Sequence, residues 1–327
     1  MKVYYILLYY LFISSALLLR GQFAPRAGEP GSTAIAAQAG VWTGWAQTCE
    51  VTRGYLDITQ PNDDTTSAGT PESALGPALE NGVVSLGDGG HAILTFSPPL
   101  MDGAGADFAV FENGFYYLDS LDFLELAFVE VSSDGIHYVR FPTQYLGDTV
   151  NQIGSFEGID TRKIEGFAGK YTSGWGTPFD LSQLPSNSWI NPLSVPYVKI
   201  MDVIGILDTP WVSKDVYHRK INDPWPTAFP TGGFDLDAVG AIHQGALNTE
   251  NAAHNPLVCW PQPLKLGEGL NVPVNVLQQP WTITDLQGRI LDQGIVEEIL
   301  LINFKNIPSG IFCLQIGNYP AMRICVY

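Results

Sequence analysis

Basic residues are scarce: 16 Lys and Arg stand against 33 Asp and Glu, for a formal net charge of −17. A surface of that sign repels nucleic acid and anionic membrane, which argues against both as partners. Catalytic signatures are missing as well. The chain contains no HExxH, no GxSxG, no P-loop and no GxGxxG ahead of a helix. Its histidines, His91, His137, His218, His243 and His254, are scattered without metal-ligand spacing. Only four cysteines occur, Cys49, Cys259, Cys313 and Cys325, and none are at CxxC spacing. A thiolate zinc site and a dithiol redox motif are thereby disfavoured. In an exported chain they could bridge as Cys49–Cys259, tying the ends of a first domain, and as Cys313–Cys325, joining neighbouring strands. Free thiols are the alternative. No segment sustains a helical period, and no stretch after residue 19 is apolar enough for long enough to cross a membrane.

What the chain does have is turn formers and large apolar side chains, with 34 Gly, 23 Pro and 12% aromatics among 327 residues. That mix suits an all-β sandwich with many turns, in one large domain or two modest ones. At the N-terminus Lys2 precedes an apolar run from Val3 to Leu19, which reads as a secretory signal peptide over 1–22 with cleavage near Gln22. A membrane anchor is the alternative, and the cysteine of a lipoprotein signal is absent. Strand-like alternation follows in "HAILTFSPPL" (91–100), "ADFAVFENGF" (106–115), "LELAFVEVSSDGIHYVRF" (124–141), "PYVKIMDVIGI" (196–206) and "FDLDAVGAIH" (234–243). "SSDG" at 132–135 predicts a tight turn inside the third of these. "SALGPALENG" has room for a single helical turn. Long loops at 142–196 and 207–233 are dense in aromatics, and loops of that length in a compact domain carry function more often than not. A Pro-rich linker, Pro256 to Pro263, divides a body over 23–262 from a small all-β module over 263–327.

Within "FDLDAVGAIH", Asp235 and Asp237 alternate with apolar residues, so in a regular strand both carboxylates point the same way. Two like charges on one face repel unless a cation sits between them or each finds its own donors. Glu112, closing "FAVFENG", and Glu125, opening "LELAFVEV", are the next acids at strand ends, and Asp102 and Asp107 flank a glycine turn. Lys199, Arg140 and Lys170 are the cations available to pair with these acids. Glu112 and Glu125 also admit a glycosidase-like acid pair, the hydrolase alternative.

Two resemblances add to this. "ITDLQGRIL", with Asp285, Gly288 and Arg289, then "FKNIPSGIFCLQI", with Ile307, Pro308, Gly310 and Phe312, and a closing "MRICVY", resemble the type IX secretion C-terminal sorting domain of Bacteroidetes surface proteins. The usual "P-N-P" at its start is replaced by "LNVPVNV". The body, through "FAPRAGEPGSTAI", "GWAQTCEVTRGYLDI", "VVSLGDGGHAILTF", "DGAGADFAVFENGF", "AFVEVSSDGIHYVRF", "YVKIMDV" and "GFDLDAVGAI", resembles secreted bacterial cell-surface proteins built on the galactose-binding-like jelly roll. The first resemblance implies a small β-sandwich, export by the type IX machinery, and display at the cell surface or release. The second implies a jelly-roll β-sandwich with a structural calcium ion. Its ligands are sought among Asp235, Asp237, Glu112, Glu125, Asp107 and Asp102. It also implies a non-catalytic binder of a glycan or other nutrient, with Trp175, Trp211, Trp225 and Tyr171 as the stacking platform on the long loops. The alternatives it leaves open are a capture protein serving an outer-membrane TonB-dependent receptor, for glycans or cobamides, and a structural or adhesion protein.

Overall fold

The computed structural model describes residues 23–60, 64–118, 120–185, 189–245 and 259. From 263 onward it describes all but 267–268, 273–275, 277, 286–287, 297–299, 304–306 and 318–321, with the backbone alone for 300–303. The expected signal peptide and most of the expected linker lie outside the described residues. The fold is all-β. In the body the strands are, in chain order, β1 (Ile35–Ala36), β2 (Gly44–Trp45), β3 (Thr48–Thr52), β4 (Val84–Ser85) and β5 (His91–Leu100). Then come β6 (Phe108–Glu112), β7 (Phe115–Leu118), β8 (Leu121–Phe123), β9 (Ala127–Ser132) and β10 (Val139–Arg140). The last five are β11 (Gln144–Tyr145), β12 (Ile164–Glu165), β13 (Trp175–Phe179), β14 (Val195–Asp202) and β15 (Asp235–Ala241).

Two antiparallel sheets face each other. The first runs β1-β13-β6-β15-β2 with β4 also on β15, and the second runs β10-β9-β14-β5-β3. Each strand turns alternate residues inward. Ala92, Leu94 and Phe96 of β5, Val129 and Val131 of β9, and Val198 and Ile200 of β14 meet Phe108 and Val110 of β6 and Leu236 and Val239 of β15 in one core. Phe108 lies stacked on Phe179 at 5.3 Å and edge-on to Phe141 at 5.9 Å, a three-ring cluster spanning the two sheets.

The second sheet is covered outside as well. Tyr145 of β11, Ile164 of β12 and the loop residues Ile159, Phe167 and Ile221 pack with Leu124, Leu126 and Phe128 in a separate cluster. Much of the aromatic content of the long loops therefore packs. The helical turn expected near 73–82 is a 3-10 turn at Pro71–Ala74, starting two residues earlier. The "SSDG" turn is looser than expected. The Asp134 carboxylate accepts from the Ile136 and His137 N–H groups and from His137 Nδ1, and β10 begins only at Val139.

Beyond the linker, β16 (Gly269–Asn271), β17 (Pro280–Thr284), β18 (Ile290–Ile295), β19 (Leu300–Asn303), β20 (Gly310–Ile316) and β21 (Met322–Val326) form two sheets, β18-β17-β20-β21 and β16-β19. They have their own core, including Leu270, Ile283, Leu314 and Ile324. Asp285, Gly288 and Arg289 form the β17–β18 turn. Gly288 takes φ of +83°, a conformation that favours glycine, and Arg289 Nε donates to Asp285 Oδ2 at 3.0 Å.

All four cysteines are free thiols. Cys49 packs against the body core and Cys259 sits in the core of the second module. Burial pushes both thiols up to about 12. Cys313 pairs in register with Arg323, and Cys325 with Ile311. That diagonal offset separates Cβ atoms by roughly 7–8 Å, beyond the ~4 Å of a disulfide.

Candidate functional site

The six acids read as one calcium set divide between two ends of a single strand pair. In the β6–β15 ladder, Glu112 faces Leu236 and Phe108 faces Ala241. Asp107 precedes this ladder at one end and Glu112 closes it at the other, about 16 Å away at ~3.3 Å per residue. One ion cannot reach both.

At the Asp107 end, Asp107 Oδ1 accepts from Gly103 N and His243 Nδ1, and Oδ2 from Leu181 N, at 2.7–2.8 Å. Asp180 caps the turn Leu181–Gln183 through Ser182 N. Asp102 keeps a buried Oδ1 with no hydrogen-bond partner, and burial, then the charges of Asp107 and Asp180, raise its carboxyl. Among the described residues, Asp102, Asp107 and Asp180 are the set of three whose carboxylate oxygens all lie within 4.8 Å of one another.

The other end is where strand alternation turns acids, rather than hydrophobes, into the space continuing the core. Glu112 follows inward-facing Phe108 and Val110, and Asp202 follows Val198 and Ile200, each two residues on. Glu125 lies between Leu124 and Leu126, which both point into the outer cluster, so its side chain points the other way. Asp223 joins from the 207–233 loop, its carboxylate accepting from Leu126 N at 3.2 and 3.3 Å. Asp202 accepts from Phe234 N at 2.8 Å and Gly89 N at 3.1 Å.

Two of these acids are under-satisfied. Glu112 is 1% exposed; its Oε2 accepts from Gly114 N at 2.7 Å and its Oε1 has no partner. Glu125 is 4% exposed and lines an open cleft, and no hydrogen bond or ion pair reaches its carboxylate among the described residues. Burial, then the Asp235 charge, pushes Glu112 well above the ordinary carboxylate range. Glu125 is driven the same way by burial, then by Asp235, Glu112 and Asp223. Asp202 and Asp223 are raised by burial and by Asp88 and Asp202 respectively. Asp88 is pushed up to about 6 by burial against an Ile58 N–H.

Asp235 and Asp237 do share the outward face. A bulge between Leu236 and Ala238 breaks the β15–β6 register. Phe234, Leu236 and Val239 stay inward, while Ala238 packs with Phe111 and Trp45 in a separate cluster outside the first sheet. The two carboxylates nonetheless have separate donors. Asp235 takes the Ser85 hydroxyl and Asn113 Nδ2, and Asp237 takes Leu79 N at 3.1 Å. Burial carries each up to about 6, against those donors.

None of the candidate cations pairs with these acids. Lys199 and Arg140 pair with Glu130 at 3.3 and 2.7 Å, and Lys170 with Glu165. Arg53, whose charge reaches Asp235, donates to the carbonyls of Ala68, Ser85 and Gly69.

The cleft over Glu125 and Asp235 has a volume of about 220 Å³ and includes Asn113, Ser155, Thr231 and no Lys or Arg. Its rim is a ladder of rings: Phe115 stacks on Phe123 at 4.8 Å, Phe123 on Phe156 at 6.4 Å, and Phe156 meets Phe229 at 5.6 Å. Phe115, Phe156 and Phe229 are exposed. The expected tryptophan platform does not form this rim. Tyr171 is 1% exposed and its hydroxyl is bound to Thr33 at 2.8 Å, so it packs. Trp175 lies half-buried in β13, Trp211 is half-buried in its loop, and Trp225 buries its indole nitrogen. None of the four lines the cleft.

A larger hollow of about 560 Å³ includes Gln144, Thr177 and Gln183, but its cation, Lys170, is already neutralised by Glu165. Among the residues of the acidic end, sequence reasoning passed over Asp88, Asp202, Asp223 and the phenylalanine rim. For Asp202 the signal was present, a lone acid ending the alternating run "YVKIMD". Gly169 packs its Cα against the same site: it holds φ of +77°, and a Cβ there would lie 2.0 Å from the Glu125 carbonyl oxygen.

No family model matches the chain, and no curated protein matches it significantly.

Proposed function

We propose that the chain is an exported, cell-surface-displayed binding protein that holds a small polar ligand, a glycan or another nutrient, in the acidic cleft and performs no chemistry on it. The observation that carries this is the pairing of an unpartnered, buried Glu125 carboxylate with an exposed ring ladder on loops anchored to a rigid sandwich. At about 220 Å³ the cleft is smaller than the ~300–1,000 Å³ that drug-sized ligands use, which suits one sugar residue or a ligand of similar size. The sorting-domain and jelly-roll resemblances support export by the type IX machinery and a galactose-binding-like body. Glu112 and Glu125 are both driven upward, whereas a glycosidase acid–base pair needs environments that push its two carboxyls apart.

Calcium belongs to this proposal at a different place from the one the sequence suggests. Ligand oxygens on one Ca²⁺ are at most about 5 Å apart, since each bond is ~2.3–2.6 Å. No three of Glu112, Glu125, Asp235 and Asp237 meet that, whereas Asp102, Asp107 and Asp180 do. Asp102 and Asp180 would supply oxygens, with Asp107 already orienting the turn.

The test is calorimetric binding of a panel of sugars and other polar nutrients to the chain and to Glu125→Gln, beside thermal melts in calcium and in chelator. Ligand binding lost in the variant is expected. Binding unaffected by the variant places the ligand elsewhere, and no binding at all favours a structural or adhesion protein. Release of a reducing sugar would assign Glu125 and Asp235 acid and base roles instead. Calcium is expected to raise Tm, and Asp102→Asn with Asp180→Asn to abolish the rise; identical melts would remove calcium from the proposal. A capture protein docked on an outer-membrane receptor is a second reading, favoured by the exposed Phe115–Leu118 strand beside the cleft.

A further inference from the structure

Resting on the reading that the cleft is a ligand seat, we propose that its ligand carries an organic cation: an ammonium group held between Glu125 and Asp235, with its carbon substituents against the phenylalanine ladder. Three independent features lead there. First, the charge in the cleft is of one sign. Glu125 and Asp235 line it, Glu112 stands behind with a free Oε1, and no Lys or Arg contributes. Buried carboxylates without a counter-ion are costly, and a ligand that brings one removes that cost.

Second, Glu125 is 4% exposed and lines the cleft, and no hydrogen bond or ion pair reaches its carboxylate among the described residues, so its donor has to come with the ligand. Third, the rim is hydrocarbon π-surface without a hydroxyl or indole nitrogen. Phe156 is 63% exposed and Phe115 51%, and both are held in a stacked series instead of collapsing onto the core. Phenyl faces attract cations through the ring quadrupole, and exposed phenyl rings beside carboxylates are the elements of an aromatic cage for alkylammonium groups. A neutral sugar would use the rings but leave Glu125 uncompensated. The overall charge of −17 draws cations toward the molecule at low ionic strength.

The experiment is calorimetric titration of the purified chain with choline, with its neutral isostere 3,3-dimethylbutan-1-ol, with calcium chloride and with a neutral monosaccharide panel. Choline is expected to bind and the isostere not to. Glu125→Gln is expected to weaken choline by about tenfold to a hundredfold, the value of a charge-assisted contact. Phe156→Ala, a surface change that the fold tolerates, is expected to weaken it by about two- to fivefold. Equal binding of choline and its isostere, or full choline affinity in Glu125→Gln, overturns the proposal. If neutral sugars bind in a Glu125-dependent way and choline does not, the cleft remains the ligand seat and only the cationic assignment falls. If nothing binds, both fall.

Discussion

Raising the pH from 5 to 8 weakens the ligand-free fold. Asp88 and Asp235 hold their protons up to about 6, chiefly through burial, while the unfolded chain releases them near 4. Between those values the native state binds more protons than the unfolded one, so stability falls as pH rises. The contribution is absent below about 4 and complete above about 6. At ~1.36 kcal/mol per pH unit, each of the two costs on the order of 2–3 kcal/mol at neutral pH. Glu112, Glu125, Asp202 and Asp223, driven well above their ordinary range, add to the decline in the same direction.

The opposite sign holds for Asp134 and Asp215, where burial is outweighed by hydrogen bonds from His137 and Arg219 and the carboxyl is lowered. Their stabilisation is complete above the unfolded value and is lost only as pH falls below about 4. The maximum therefore lies near pH 4. Urea unfolding at pH 5, 6, 7 and 8 checks this: the midpoint should fall monotonically, and a flat or rising midpoint would mean the acids are compensated in solution.

Phe108→Ala lowers stability by about 3–5 kcal/mol, the cost of emptying a fully buried aromatic site. The ring touches Phe179 from its own sheet and Phe141 from the segment after β10, so its removal opens a void between sheets that neither neighbour fills without leaving the other. At roughly 2–4 °C per kcal/mol for a body of this size, Tm drops by on the order of 10 °C. In denaturant the midpoint should shift with an unchanged slope. A loss below about 1 kcal/mol would show that the three rings do not join the sheets.

Strand positions were legible because period-2 alternation is local: β5 spans the predicted 91–100, β15 sits within its predicted run, and β14 starts one residue ahead of its own. Glu112, Glu125 and Asp235 were legible for the same reason, as lone acids interrupting apolar strands. The grouping was not. Asp107 and Glu112 lie five residues apart in sequence but at opposite ends of one strand, and only the ladder register reveals which acids share an end. Asp88 and Asp223 reach the acidic end from loops, where no period exists to read. The phenylalanine rim was not legible because sequence does not distinguish a loop aromatic that packs, such as Phe167 at 0% exposure, from one that stays out, such as Phe156. Stacking on Phe123 from the short β7–β8 hairpin decides that, and the contact is long-range.

The central claim is that Glu112 and Glu125 are buried without a counter-charge and wait for one. Carbon-13 titration of the Glu side-chain carboxyls in the ligand-free chain, assigned through Glu112→Gln and Glu125→Gln, tests it directly. Two resonances should titrate well above the others, and both should move toward the ordinary range when a cationic ligand saturates the cleft. Midpoints near the ordinary glutamate value of about 4.3 for both residues would contradict it.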